Sequence, residues 1–218
     1  MEKRRADLIA DQLEEMIFTG AFQDGDRLDE IRLSAHFGVS RTPLRESFQR
    51  LAVSGLVDQI PRRGVFVRKP GPVDLVQMFE VMAEMEAASA RFAAVRITAE
   101  GLAKLHDVNA TCEAAAAASD LDAYFEANDL FHKTLYRQAG NGYLEGDCLR
   151  LHRRLKPFRR LQLKRRGRLP QSVEEHHALL SALNEGDGPG AAQIMRHHLT
   201  IHGDKFHYLV ANLPKAAE

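Results

Sequence analysis

The sequence predicts a mainly α-helical protein: an N-terminal winged helix-turn-helix, then an all-α antiparallel bundle of about six helices. Three observations carry this. Short helical segments, a Gly38-Val39-Ser40 turn and a Pro61-Arg62-Arg63-Gly64 turn crowd the start of the chain. Beyond Pro70-Gly71-Pro72, which reads as a linker, the chain is almost unbroken helix former, rich in Ala, Leu, Glu and Arg. The breaks in that second part are short, and short connections make neighbouring helices antiparallel. The expected division is residues 1–70 for the winged unit and 73–212 for the bundle.

The first helix is expected from about Arg4 to Phe18, with Leu8, Leu13, Met16 and Ile17 as its apolar face and Gly20 as its stop. Asp24-Gly25-Asp26 is a turn. A short helix follows from about Asp29 to Phe37, ended by Gly38. Ser40 then reads as an N-cap, with Pro43 tolerated in the first turn. The third helix runs to about Ser54, with Leu44, Phe48 and Leu51 on its buried side. Leu56–Ile60 and Val65–Val67 flank a turn containing Gly64, which is a hairpin signal. The bundle helices are expected near 73–95, 98–118, 120–139, 143–165, 172–185 and 189–210. Thr98 starts one, Gly140-Asn141-Gly142 separates two, and Ser172 with Glu175 reads as a capping box.

Composition bounds the function. The 218 residues are 44% hydrophobic and 28% charged, as expected of a globular protein that buries a core. No stretch approaches the ~18 to 20 apolar residues of a membrane span. Asp7, Asp11, Glu14 and Glu15 interrupt the start, which excludes a signal-peptide pattern there. Cys112 and Cys148 have neither zinc spacing nor a disulfide framework. A reduced, cytoplasmic protein is the expectation.

Net charge is zero, so any nucleic-acid role must come from local clustering. Between Arg32 and Lys69 there are eight basic residues and two acidic ones. Arg41, Thr42 and Arg45 fall on the first turns of the third helix. In a helix-turn-helix that part of the recognition helix meets base edges in the major groove. Arg41 and Arg45 are four apart and share a face, and a guanidinium can grip guanine O6 and N7 with two hydrogen bonds. Arg62 and Arg63 sit at the hairpin tip, where a wing reaches phosphates or a minor groove. A merely solvated basic face is the competing reading; turn chemistry, apolar spacing and arginine placement favour DNA.

The stretch from Leu33 through Ser40-Arg41-Thr42-Pro43-Leu44-Arg45 to Val57, then Pro61–Val67, closely resembles the GntR family of bacterial transcription regulators. The remainder resembles the helical ligand-binding FCD domain of its FadR subfamily. The resemblance implies a homodimer that binds operator DNA and answers to a small-molecule effector. It also implies DNA contacts by Ser40, Arg41, Thr42 and Arg45, with Gly64 at the wing tip. Arg32, Arg62 and Arg63 join that set from their place in the basic cluster.

A second group of residues lies in the bundle. On the helix expected at 120–139, Asn128 and His132 fall within the apolar stripe, four apart. His176 lies in the stripe of the next-to-last helix, and His198, with His202 one turn on, in that of the last. A buried imidazole needs a partner. Three separately hydrogen-bonded histidines would meet that need, and so would one shared metal ion. The resemblance implies the ion, because many FCD domains hold a divalent metal through an acid and three histidines. The matching positions are Asn128, His132, His176 and His198, with an amide where relatives carry an acid. Zn, Ni or Mn would suit such donors.

Relatives also carry an arginine that clamps an effector carboxylate, and Met82 stands at the matching position. Arg159 or Arg160 is expected to supply that charge instead, in the service of an organic acid or related anion. Residues 150–168 hold ten basic residues and no acidic one, which reads as a solvated helix face or a nucleic-acid patch. Two other functions remain open: a metal-dependent hydrolase built on the histidines, and a constitutive regulator whose bundle only dimerises. The first lacks a nucleophile motif or general base, so the chain is not expected to be an enzyme.

Overall fold

The computed structural model of the chain describes residues 4–200. The chain divides into two compact units between Gly71 and Pro72. The expected end of the last helix near 210, His202 and the expected domain end at 212 lie outside the described residues. Among the described residues, no helix is long and apolar enough to cross a membrane.

The first unit runs α1 (Arg5–Phe18), β1 (Arg27–Leu28), α2 (Glu30–Phe37), α3 (Arg41–Val53), β2 (Val57–Ile60) and β3 (Gly64–Val67). The face α1 buries is Ala6, Ile9, Ala10, Leu13 and Ile17, at helical spacing, whereas Leu8 is 48% exposed. The sequence-expected face is therefore rotated by about a residue. Leu13 and Ile17 pack with Leu33, Leu44, Phe48, Leu51, Val57, Val65 and Val67 into one core. α2 is fixed at both ends. The Asp29 carboxylate accepts hydrogen bonds from the amides of Ile31 and Arg32, and Gly38 takes the left-handed conformation that a residue with a Cβ resists. Ser40 occupies the N-cap position of α3, but its hydroxyl makes no capping bond.

The hairpin pairs Val57 with Val67 and Ile60 with Gly64. Sequence reading missed its third strand: Arg27–Leu28 pairs antiparallel with β3, giving the order β1-β3-β2. Two residues are too few to show alternation.

The second unit is all helix: α4 (Pro72–Arg96), α5 (Ala99–Ala117), α6 (Leu121–Gln138), α7 (Gly142–Leu163), α8 (Arg168–Asn184) and α9 (Gly188–Leu199). Thr98, Asp120, Asn141 and Asp187 cap the N-termini of α5, α6, α7 and α9 with side-chain oxygens. α7 runs through Pro157. The expected capping box at Ser172 is incorrect. α8 begins four residues earlier, at Arg168, and Ser172 is buried inside it. Pro170 does not prevent this, because its missing N–H falls in the first turn, where amides lack intrahelical acceptors. Glu175 is thereby released from capping and turns into the bundle core.

Candidate functional site

In the first unit, α2, α3 and the hairpin enclose a groove of about 710 Å³. Its walls carry Arg41 and Arg45 from α3, and Arg62, Arg63 and Gly64 from the hairpin tip. Arg32, Ser40 and Thr42 are exposed but do not line it. Sequence reading missed Arg27, Ile31 and Gln49, which do. Arg45 is gripped by Glu30, with Nε 3.1 Å from both carboxylate oxygens and Nη2 2.9 Å from one. Its side chain remains 62% exposed, so the pair points the guanidinium without hiding it. The Glu30 hydrogen bond and charge raise the Arg45 pKa further, and the group stays cationic.

The hairpin tip depends on backbone geometry. Arg62 sits at φ +64°, and Gly64 at φ +119°. A Cβ on Gly64 would come within 2.9 Å of Arg27 Nε, so only glycine lets that guanidinium lie against the strand.

In the second unit, α6, α8 and α9 bring His132, His176 and His198 together, with one ligand-capable atom of each within 4.8 Å of the others. Each ring is held by its Nδ1. His132 Nδ1 lies 2.6 Å from Glu86 Oε2, His198 Nδ1 lies 2.6 Å from Glu175 Oε2, and His176 Nδ1 lies 3.0 Å from Asn109 Oδ1. Nδ1–H donated to an oxygen places the lone pair of each ring on Nε2. The Nε2 atoms of His198 and His132 are 3.2 Å apart, and that of His176 is buried without a hydrogen-bond partner. Asn128 is buried as well, its Oδ1 without a partner. Burial keeps all three imidazoles neutral at pH 7. It pushes His132 down to about 3 and His198 to about 4, and holds His176 well below its ordinary value.

The carboxylates behind the rings are charged. Burial opposes ionisation of Glu86, but His132 and Arg159 overcome it and hold its carboxyl well below the ordinary range. Arg159 Nη1 is 2.7 Å from Glu86 Oε1, and Tyr136 donates to the same oxygen. Glu175 is likewise lowered to about 2 against the effect of burial, by His198 and Arg168, whose Nη1 is 2.7 Å away. His152, which no sequence pattern marked, also belongs to this interior. Its Nε2 is 2.7 Å from Asp129 Oδ1, and its Nδ1 is 2.8 Å from the Tyr136 hydroxyl.

Beside the histidines lies a cavity of about 40 Å³, lined by Phe79, Asn128, Arg159, Gln162, Leu163, Arg168, Ser172, His198 and Leu199. Of the expected effector residues, only Arg159 reaches it. Arg160, the next residue on α7, is exposed and pairs with Asp122. Met82 is wholly buried in the core and does not line the cavity. Arg168, missed because it seemed to precede its helix, supplies a second guanidinium. Elsewhere in the basic segment, Arg150 pairs with Asp147 and Lys156 lies 4.0 Å from Glu126.

A groove-bearing winged helix-turn-helix joined in sequence to a helical bundle is the build of a DNA-binding regulator. The comparisons supply the family. Residues 5–67 match the bacterial regulatory proteins of the gntR family, and residues 77–200 match the FCD domain. The chain belongs to the GntR-type transcription regulators that carry an FCD domain. It is 30% identical over 176 residues to the HTH-type transcriptional repressor RspR of Escherichia coli, covering 80% of this chain and 77% of that one. To the galactonate operon repressor of the same organism it is 28% identical, with 88% of this chain and 93% of that one covered. It is 29% identical to an HTH-type transcriptional regulator of Streptomyces ambofaciens, with 94% and 86% covered. The E. coli McbR/YncC structure shares the fold at a TM-score of 0.72 and 23% identity, covering 92% of this chain and 97% of that one. These families and relatives are regulators, not enzymes, and the hydrolase reading finds no support among them.

Proposed function

We propose that the chain is a metabolite-controlled repressor of the FadR subfamily that works as a cytoplasmic homodimer on operator DNA. In this reading Arg41 and Arg45 read base edges, and Arg27, Arg62 and Arg63 neutralise phosphates around the same groove. Ser40, Thr42 and Arg32, exposed outside the groove, hold flanking phosphates.

The bundle is proposed to bind a divalent ion, Zn, Ni or Mn, through His132, His176 and His198, with Asn128 as a fourth oxygen donor. One observation carries this: two buried atoms able to ligate, His176 Nε2 and Asn128 Oδ1, have no hydrogen-bond partner, beside two further Nε2 atoms aimed together. Carboxylates behind metal-ligating imidazoles are the usual arrangement that fixes the tautomer. The bound ion would supply positive charge and an open coordination position. Glu86 and Glu175 are already matched by Arg159 and Arg168, so a dication on neutral donors lacks counter-charge. A small organic anion in the adjoining cavity meets that need, with Arg159 and Arg168 to orient it. Binding favours one arrangement of the bundle and thereby alters operator affinity.

The test is a thermal-shift series on untagged protein with Zn, Ni and Mn, each with and without a panel of small organic acids. A dose-dependent rise that needs metal, and that His176→Ala abolishes, supports the reading. Protein purified without metal and insensitive to all three ions refutes the metal site. An acid that stabilises equally with or without chelator refutes the coupling of ion and effector.

A further inference from the structure

α4 carries two apolar faces. One, including Leu75, Phe79, Met82, Ala83, Ala87, Ala90 and Ala94, is buried in the bundle. The other consists of Met78, Val81, Met85, Ala88, Phe92 and Val95, alternately three and four residues apart. That is the spacing of a helix that packs along a second helix. None of the six is buried; Val81 is 54% exposed and Val95 77%. Glu84 and Arg91 flank the stripe on one side, both exposed. Glu84 is fixed there by Arg196 of its own chain, at 2.6 and 2.9 Å.

We infer that this stripe pairs antiparallel with the same stripe of a second copy of the chain. The inference rests on the dimeric reading above and adds the face and the register. One two-fold register satisfies every position. Met78 meets Val95 of the partner subunit, Val81 meets Phe92 of the partner subunit, and Met85 meets Ala88 of the partner subunit. Each layer is apolar, and the central one sets a large side chain against a small one. The same register sets Glu84 beside Arg91 of the partner subunit, and the two-fold axis repeats that pair. A parallel pairing would instead direct Arg91 toward Arg96 of the partner subunit, cation against cation. A C2 interface must be self-complementary, and the stripe with its two flanking charges is so in the antiparallel sense alone.

The experiment is oxidative cross-linking of the full chain. Cys112 and Cys148 are buried, so added cysteines are read without interference. Val81→Cys combined with Phe92→Cys gives a covalent dimer under mild oxidant, because facing positions bring Cα atoms within disulfide range. Neither single variant does so. Within one chain the two positions lie about 16 Å apart along the helix and cannot bridge. Val81→Glu weakens dimerisation in sedimentation equilibrium roughly a hundredfold or more, with helical content unchanged. Cross-linking by Val81→Cys alone means parallel pairing and overturns the proposal. A dimeric protein that never cross-links places the interface elsewhere, leaving the regulator reading intact. A monomeric parent protein overturns both this face and the dimer.

Discussion

The two units use charge in opposite ways. In the first, the arginines of the groove are exposed, and the one with a firm partner, Arg45, is steered by Glu30 rather than buried by it. In the second, Arg159 and Arg168 are buried against Glu86 and Glu175, behind histidines kept neutral by burial. Charge at a surface can be altered with small effect on folding, because water stands in for a lost partner. Interior charge is part of the packing, and removing one member strands the other.

The largest effect expected from this contrast comes from neighbouring residues on one helix. Arg159→Met leaves the Glu86 carboxylate without its counter-charge, held only by neutral His132 and Tyr136, and should destabilise the bundle by ~3 to 5 kcal/mol in urea unfolding. Arg160→Met removes an exposed pair and should cost under ~1 kcal/mol. Equal losses would erase the distinction between interior and surface charge.

The pH dependence comes next. Unfolded histidines take up protons below about pH 6.5, whereas His132 and His198 in the folded bundle resist until about 3 and 4. Between those limits the unfolded chain binds more protons. The histidine contribution to stability is therefore whole above pH 6.5 and lost as pH falls, by ~2 kcal/mol per histidine at pH 5. Thermal unfolding of metal-free protein from pH 7 to 5 should show the loss in the bundle, while the winged unit, which buries no histidine among the described residues, holds steady.

A smaller effect belongs to the groove. Arg45→Ala should weaken binding to a selected operator by ~1 to 3 kcal/mol through a lost bidentate base contact. The same loss on random duplex would assign Arg45 to the phosphates. Asp29→Ala, which removes the cap of α2, should cost ~1 kcal/mol of stability in the winged unit.

The same contrast governs what could be read from sequence. Three helices and a hairpin in the winged unit were legible because turns and caps are local signals, as at Gly38 and Gly64. The two-residue β1 was not, since only its pairing to β3 defines it. In the bundle, the three histidines stood out as polar residues within apolar stripes. Their partners did not. Glu86 and Asn109 come from α4 and α5, far from the histidines in the chain, and no periodicity announces which carboxylate will stand behind which ring. Glu175 was misread for a different reason: a convincing capping pattern fell one turn inside a helix that Pro170 let start early. His152 had no stripe signal, because the arginines of α7 obscure its buried face.

One dimension of the bundle has a mechanical consequence. A cavity of about 40 Å³ admits roughly three waters, less than a molecule of several carbons needs. Under the proposed reading, a larger anion would press on the apolar lining of Phe79, Leu163 and Leu199. Close-packed walls do not yield by compressing; they shift as bodies. In that reading occupancy would be converted into displacement of the helices that own those walls, and the signal would leave the interior as movement rather than as charge.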